Sequence, residues 1–197
     1  MSSFTTNFMS AIVAYGSLLN QKQSGLRSHL LTIVCPVTVK GYRRIFNQEP
    51  TWRKGNDRRR AVLSIVQSDS DHFNGLLLAL TDNDNFSELD ERERGYDRVL
   101  VPHACIAYSA NTHYLSESKF SFKQTFVYIG KPEKKNDSIL PNEDYLHLCL
   151  RGAKQWGEEF YEQFLQTTYI GSLNLKTFLA GQRLTTKRLT TKRDTAE

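Results

Sequence analysis

The feature that most constrains the fold is a change of period near Pro141. Upstream, apolar residues come in short runs and alternations, the pattern of strands. Downstream, Tyr145, Cys149, Ala153, Trp156 and Phe160 form a stripe at helical spacing, in a helix opened by Pro141 and broken or kinked at Gly157. Strands over the first two thirds and helices over the last third predict an α+β domain on an antiparallel or mixed sheet, of a kind that can curl into a barrel. The repeated βα alternation of a doubly wound fold is missing, as are a Gly-rich phosphate loop and a GxSxG elbow.

Reading along the chain, Ala11 to Ala14 is a short buried strand that runs into Tyr15-Gly16-Ser17. Leu18 to Leu30 reads as a short helix and loop. Thr32 to Phe46 is interrupted by Pro36 and Gly41, so it reads as two strand pieces or one bulged strand. Ala61 to Val66 and Phe73 to Leu80, joined by the polar SDSDH, read as paired strands. A helix capped by Thr81 or Asp82 carries Phe86 and Leu89 on one face and stops at Gly95. Tyr96 to Tyr108 and Phe122 to Ile129 return to strand pattern. Residues 1–180 are thus expected to form one domain. Residues 181–197, with the duplicated RLTTK, offer no apolar face and read as a disordered basic tail.

At 197 residues the chain is long enough for a sizeable core. No run reaches the roughly 18 apolar residues that suggest a spanning helix, so no membrane partner is expected. Cys35, Cys105 and Cys149 are widely spaced and fit neither a zinc pattern nor a disulfide framework. Reduced thiols and an N-terminus without a signal-peptide pattern point to the cytoplasm. The five histidines are scattered, and no metal site is assigned. The net charge of +5 is uneven. Lys40, Arg43, Arg44, Arg53, Lys54, Arg58, Arg59 and Arg60 crowd one segment, read as a solvated loop between strands or as a surface for an anionic partner. Nucleic acid is the disfavoured partner, because few aromatic residues are interleaved with these charges.

Three places could carry chemistry. Glycine in the Tyr15–Leu18 turn permits close approach, and successive N–H groups in such a turn can hold a carboxylate or oxyanion. Among the acids of Leu89–Arg98, Glu93 lies at i+4 from the inward-facing Leu89, while Asp90 and Glu91 point away. Lost hydration at Glu93 suits a proton shuttle near neutral pH. Tyr145, near the start of the late helix, is the third.

These three occur in an order that resembles the γ-glutamylcyclotransferase superfamily. The resemblance rests on YGSL at Tyr15 to Leu18, GYRRIF at Gly41 to Phe46, LDERERGYDR at Leu89 to Arg98 and LPNEDYLHLCLRGAKQWG at Leu140 to Gly157, and it spans Ile12 to Gly171. It implies a small mixed or antiparallel β-barrel with flanking helices. It implies that Val13, Tyr15, Gly16, Ser17 and Leu18 bind a γ-glutamyl group, that Tyr145 contacts substrate, and that Glu93 is the catalytic acid/base. No cofactor or metal is implied. The expected product is 5-oxoproline, released from a γ-glutamyl peptide or amine. Leu18, where asparagine often stands, and Arg94, which separates Glu93 from Gly95, follow the ChaC-type branch; the late helix is closer to the other members. The alternative is a non-catalytic protein that uses the basic 40–60 surface.

Overall fold

The computed structural model describes residues 10–20, 31–51, 58–80, 86–109 and 122–182. Its centre is β1 (Ser10–Ala14), five consecutive buried residues. This strand lies between β3 (Arg59–Leu80), antiparallel to it, and β6 (Gln124–Gly130), parallel to it. A strand covered on both faces needs no polar alternation, which is why SAIVA is almost wholly apolar.

The longest pairing is between β2 (Leu31–Gln48) and β3. β2 is one bulged strand, with a register shift between Lys40 and Tyr42 where Gly41 takes φ +86°. β3 corrects the sequence expectation. Ala61–Val66 and Phe73–Leu80 are two parts of one strand, and both pair with β2 rather than with each other. The polar SDSDH is an exposed bulge opposite Gly41, pinned by an ion pair between Arg43 and Asp71 at 2.9 Å. Such a polar run looks like a hairpin turn in sequence because turns and exposed bulges draw on the same residues.

The remaining strands are β4 (Tyr96–Leu100), β5 (Ile106–Tyr108), β7 (Leu140–Pro141), β8 (Thr168–Ile170) and β9 (Leu173–Asn174). The sheet runs β4-β6-β1-β3-β2-β8-β9, with β5 on β2 and β7 on β3. It mixes parallel and antiparallel pairs, as expected, but it does not close into a barrel. The long strands branch instead. The outer edge of β2 takes β5 at Val37–Val39 and β8 at Arg44–Ile45, on either side of the Gly41 bend.

Three helices flank the sheet: α1 (Ser87–Arg92), α2 (Glu143–Lys154) and α3 (Glu158–Thr167). Residues 175–182 are also helical. The basic tail otherwise lies outside the described residues. Asn142 caps α2 by accepting a hydrogen bond from the Tyr145 N–H at 2.9 Å. Gly157, at φ +95°, separates α2 from α3 as its position in the stripe predicted. No described helix is long and apolar enough to cross a membrane.

Helix α2 lies directly on the chain that follows β1. A Cβ added at Gly152 would sit 2.8 Å from the Asn20 nitrogen and 3.0 Å from Leu19 atoms. Alanine in a helix interior normally gains about 1 kcal/mol over glycine, whereas overpacking typically costs about 1–3 kcal/mol. Here the obstacle is backbone, which yields little. Gly152→Ala is therefore expected to lower the melting temperature. A thermal melt at or above that of the parent would contradict the close approach.

Candidate functional site

Beyond Ala14 the chain leaves the sheet, and Ser17–Leu19 form one 3-10 turn closed by Leu19 N–H to Gly16 O at 3.0 Å. Burial anchors both ends of this segment. The Tyr15 hydroxyl donates to the Tyr128 carbonyl at 2.5 Å, and the Trp156 indole donates to the Leu19 carbonyl at 3.2 Å. The N–H groups of Ser17 and Leu18 precede the bonds of the 3-10 turn and are not used by it.

Tyr145 reaches this turn from α2. Its ring packs edge-on against Phe46, with centroids 6.2 Å apart. Its hydroxyl lies 2.7 Å from where a Cβ on Gly16 would be. The sequence reading assigned this glycine to ligand approach; in the structure it also makes room for a phenol.

Glu93 caps the C-terminal end of α1, its N–H bonded to Leu89 O at 2.8 Å. Leu89 is buried, and the Glu93 side chain above it is 18% exposed against 75% for Glu91. Spacing from Leu89 thus separates these two carboxylates correctly. Asp90 departs from the expectation. It accepts from the Tyr128 hydroxyl at 2.7 Å and pairs with Arg98 at 3.2 Å, tying α1 to β6 and β4. The loop after Glu93 is held by buried Gln48, whose amide donates to the Gly95 carbonyl at 2.9 Å.

Val13, Tyr15, Gly16, Ser17, Leu18, Glu93 and Tyr145 all line one cleft, completed by Ala14, Leu63, Tyr96 and Tyr128. A second cavity adjoins it and shares Ser17, Glu93, Tyr96 and Tyr145. Glu93 is the one carboxylate among the described residues lining either cavity. Burial, then neighbouring Tyr96 and Glu93, raises the Tyr15 phenol well above its usual value. Burial likewise raises Tyr145, with Cys149 and Tyr96 adding to it. Tyr128 is raised by burial and by its bond to Asp90. These phenols stay protonated at neutral pH, and those of Tyr15 and Tyr128 donate to the Tyr128 carbonyl and the Asp90 carboxylate.

Sequence reasoning missed Tyr96, Tyr128 and Arg92. Tyr96 and Tyr128 sit in ordinary strand pattern, with nothing local to single them out. Arg92 carries no local signal either; its Nε donates to Glu93 Oε1 at 3.0 Å and its Nη2 lies 3.4 Å from Ser17 Oγ. Glu93 therefore has a cationic partner in direct contact with it.

Among its described residues, the basic segment is not the solvated loop expected. Arg44 is fully buried, while Arg43, Arg59 and Arg60 pair with Asp71, Glu143 and Glu49. Residues 52–57, which include Arg53 and Lys54, lie outside the described residues. No group of three or more His, Cys, Asp or Glu among the described residues could hold a metal ion.

No protein-family model matches the chain, and no curated protein matches it. Solved structures do. A γ-glutamyl cyclotransferase superposes with a TM-score of 0.56 at 20% identity, covering 78% of this chain and 85% of that one. The chain has the γ-glutamylcyclotransferase-like fold. A yeast γ-glutamyl cyclotransferase described as specific to glutathione gives a TM-score of 0.54 at 16% identity, covering 82% of this chain and 96% of its own. YkqA from Bacillus subtilis gives 0.54 at 20% identity over 77% of this chain and 51% of its own. Within this γ-glutamylcyclotransferase-like fold, the cleft lies where β1, α1 and α2 converge.

The Gly16–Tyr145 contact is testable by a double-mutant cycle. Gly16→Ala should destabilise by about 1–3 kcal/mol. In a Tyr145→Phe background most of that cost should vanish, because the next contacts, to Leu63, are an ordinary 3.8 Å. Urea denaturation measures both. Equal costs in the two backgrounds would show that the hydroxyl does not sit over Gly16.

Proposed function

We propose that the chain is a γ-glutamylcyclotransferase-type enzyme that converts a γ-glutamyl peptide or amine to 5-oxoproline and releases the amine or amino acid. The observation that carries the reading is Glu93: one carboxylate, shielded from bulk water, in a cleft with a backbone turn and protonated phenols. The fold supports it, and so does the resemblance of the motifs at Tyr15–Leu18 and Leu89–Arg98.

In this mechanism the γ-glutamyl group lies against Val13–Leu18, its carboxylate or developing oxyanion facing the turn's N–H groups. Tyr145 donates a hydrogen bond that fixes the pose. Glu93 takes a proton from the substrate's α-amine. The nitrogen then attacks the substrate's own γ-carbonyl and forms the new carbon–nitrogen bond of a five-membered ring. As the tetrahedral intermediate collapses, the old carbon–nitrogen bond breaks and Glu93 returns the proton to the departing nitrogen. Holding the substrate folded removes much of the entropic barrier to cyclisation. Reduced thiols at Cys35, Cys105 and Cys149 accord with a reducing, cytoplasmic setting. The basic-surface alternative has less support, because much of that charge is buried or paired with acids.

Glu93→Gln keeps the size of the side chain but takes no proton. It should lower kcat for 5-oxoproline formation by about 100-fold or more. Glu91→Gln, on the exposed side of α1, should stay near the parent rate. Loss of activity in Glu91→Gln with Glu93→Gln active would place the proton shuttle on the wrong residue.

A further inference from the structure

The two adjoining cavities divide the cleft at Glu93. The first is built on the turn after β1; the second extends past Ser17 to Pro50, Thr51, Val62, Arg92 and Gly95. Under the cyclotransferase reading, on which this inference rests, Glu93 must reach both the attacking α-amine and the departing nitrogen. The scissile bond therefore lies at the partition. A γ-glutamyl group on the turn side directs the leaving group into the second cavity.

The chemistry of that second cavity is one-sided. Arg92 is its one cation among the described residues, and Glu93 its one acid. The Arg92 side chain is 20% exposed and anchored along one edge of its guanidinium, Nε to Glu93 and Nη2 to Ser17. The 3.4 Å contact to Ser17 is long for a hydrogen bond. Nη1 has no partner among the described residues. Arg92 lines the cavity, and the outer end of its fork, Nη1 with Nη2, has the arrangement that binds a carboxylate through two parallel hydrogen bonds.

We propose that Arg92 reads the α-carboxylate of the leaving group, so that the enzyme selects γ-glutamyl-α-amino acids over γ-glutamylamines. In a γ-glutamyl-α-amino acid the carboxylate is attached through one carbon to the scissile nitrogen, next to the atom that Glu93 must protonate. Arg92 is already in contact with Glu93, so it lies within reach of such a group. A leaving amine offers this guanidinium nothing, and a leaving group with a second amine brings a like charge to it.

The interaction also grows during the reaction. Before proton transfer, the charge of Arg92 is shared with ionised Glu93. Once Glu93 holds the α-amine proton it is neutral, and the guanidinium is opposed only by the leaving carboxylate. A contact that strengthens as the barrier is climbed favours turnover as well as binding.

The test compares two substrates that differ only in that carboxylate, γ-glutamylalanine and γ-glutamylethylamide, with 5-oxoproline release as the readout. The parent enzyme should favour the alanine compound in kcat/KM by about tenfold or more. Arg92→Met should bring the ratio of the two kcat/KM values close to one, and Arg92→Lys, which keeps the charge but not the fork, should fall between. The ratio is the measure because losing the cation beside Glu93 can slow both substrates together. A parent ratio near one, or in favour of the ethylamide, overturns the assignment, and this needs no variant to fold. An Arg92→Met variant that keeps the parent ratio overturns it too, and leaves Arg92 as a partner of Glu93 alone. Turnover of the ethylamide but not of the alanine compound sinks this inference and spares the cyclotransferase reading. No turnover of any γ-glutamyl compound sinks both.

Discussion

A buried guanidinium holds the molecule together. Arg44 has no exposed surface and no carboxylate partner among the described residues. Its charge rests on neutral acceptors: the carbonyls of Tyr15, Asn74 and Phe164, the Asn74 side chain, and the hydroxyls of Thr167 and Thr168. Two of these contacts reach the last turn of α3, where unpaired carbonyls gather and the helix dipole favours a cation. The Phe164 ring adds a cation–π contact at 4.0 Å. Burial pulls the Arg44 pKa down to about 9, still above neutrality, so the charge persists. One side chain thereby ties β2 to β3, to the α3–β8 junction and to the residue that opens the site turn.

The cleft follows from that frame. β1 is fixed in the middle of the sheet, so the chain leaving it emerges at a defined place. Gly152 lets α2 lie on that chain, and Gly16 lets the Tyr145 hydroxyl come over it. From the other side, Asp90 and Gln48 hold the two flanks of Glu93, through Tyr128 and Arg98 and through the Gly95 carbonyl. The carboxylate, the turn and the phenol come from distant parts of the chain, yet each is held by buried hydrogen bonds. Such support fixes the position of groups that must meet a substrate within hydrogen-bond reach.

What could be read from sequence was whatever is written locally. The helical stripe at Tyr145–Phe160, the break at Gly157 and the buried strand at Ala11–Ala14 each declare themselves within a few turns or a few residues. Glu93 could be told from Glu91 because Leu89 marks the inward face one turn away. Long-range pairing was a different matter. A polar SDSDH reads as a hairpin until β2 is seen to run along both halves of β3. The closed barrel failed for a related reason, since nothing local says that a strand bent at Gly41 will hand its outer edge to two different partners. Arg44 was misread and Arg92 was not singled out, because burial of a charge depends on acceptors far away in sequence. Convergence of the seven candidate residues on one cleft was an expectation from family resemblance, and no periodicity contained it.

If this cleft closes a γ-glutamyl chain on itself, the product is 5-oxoproline. The most direct test is mass spectrometry of the purified protein incubated with a panel of γ-glutamyl peptides and amines. 5-Oxoproline and released amine should appear in one-to-one amounts from at least one member. Free glutamate in place of 5-oxoproline would mean that water, not the substrate's own amine, attacks the carbonyl. An unchanged panel would mean that the fold serves another purpose.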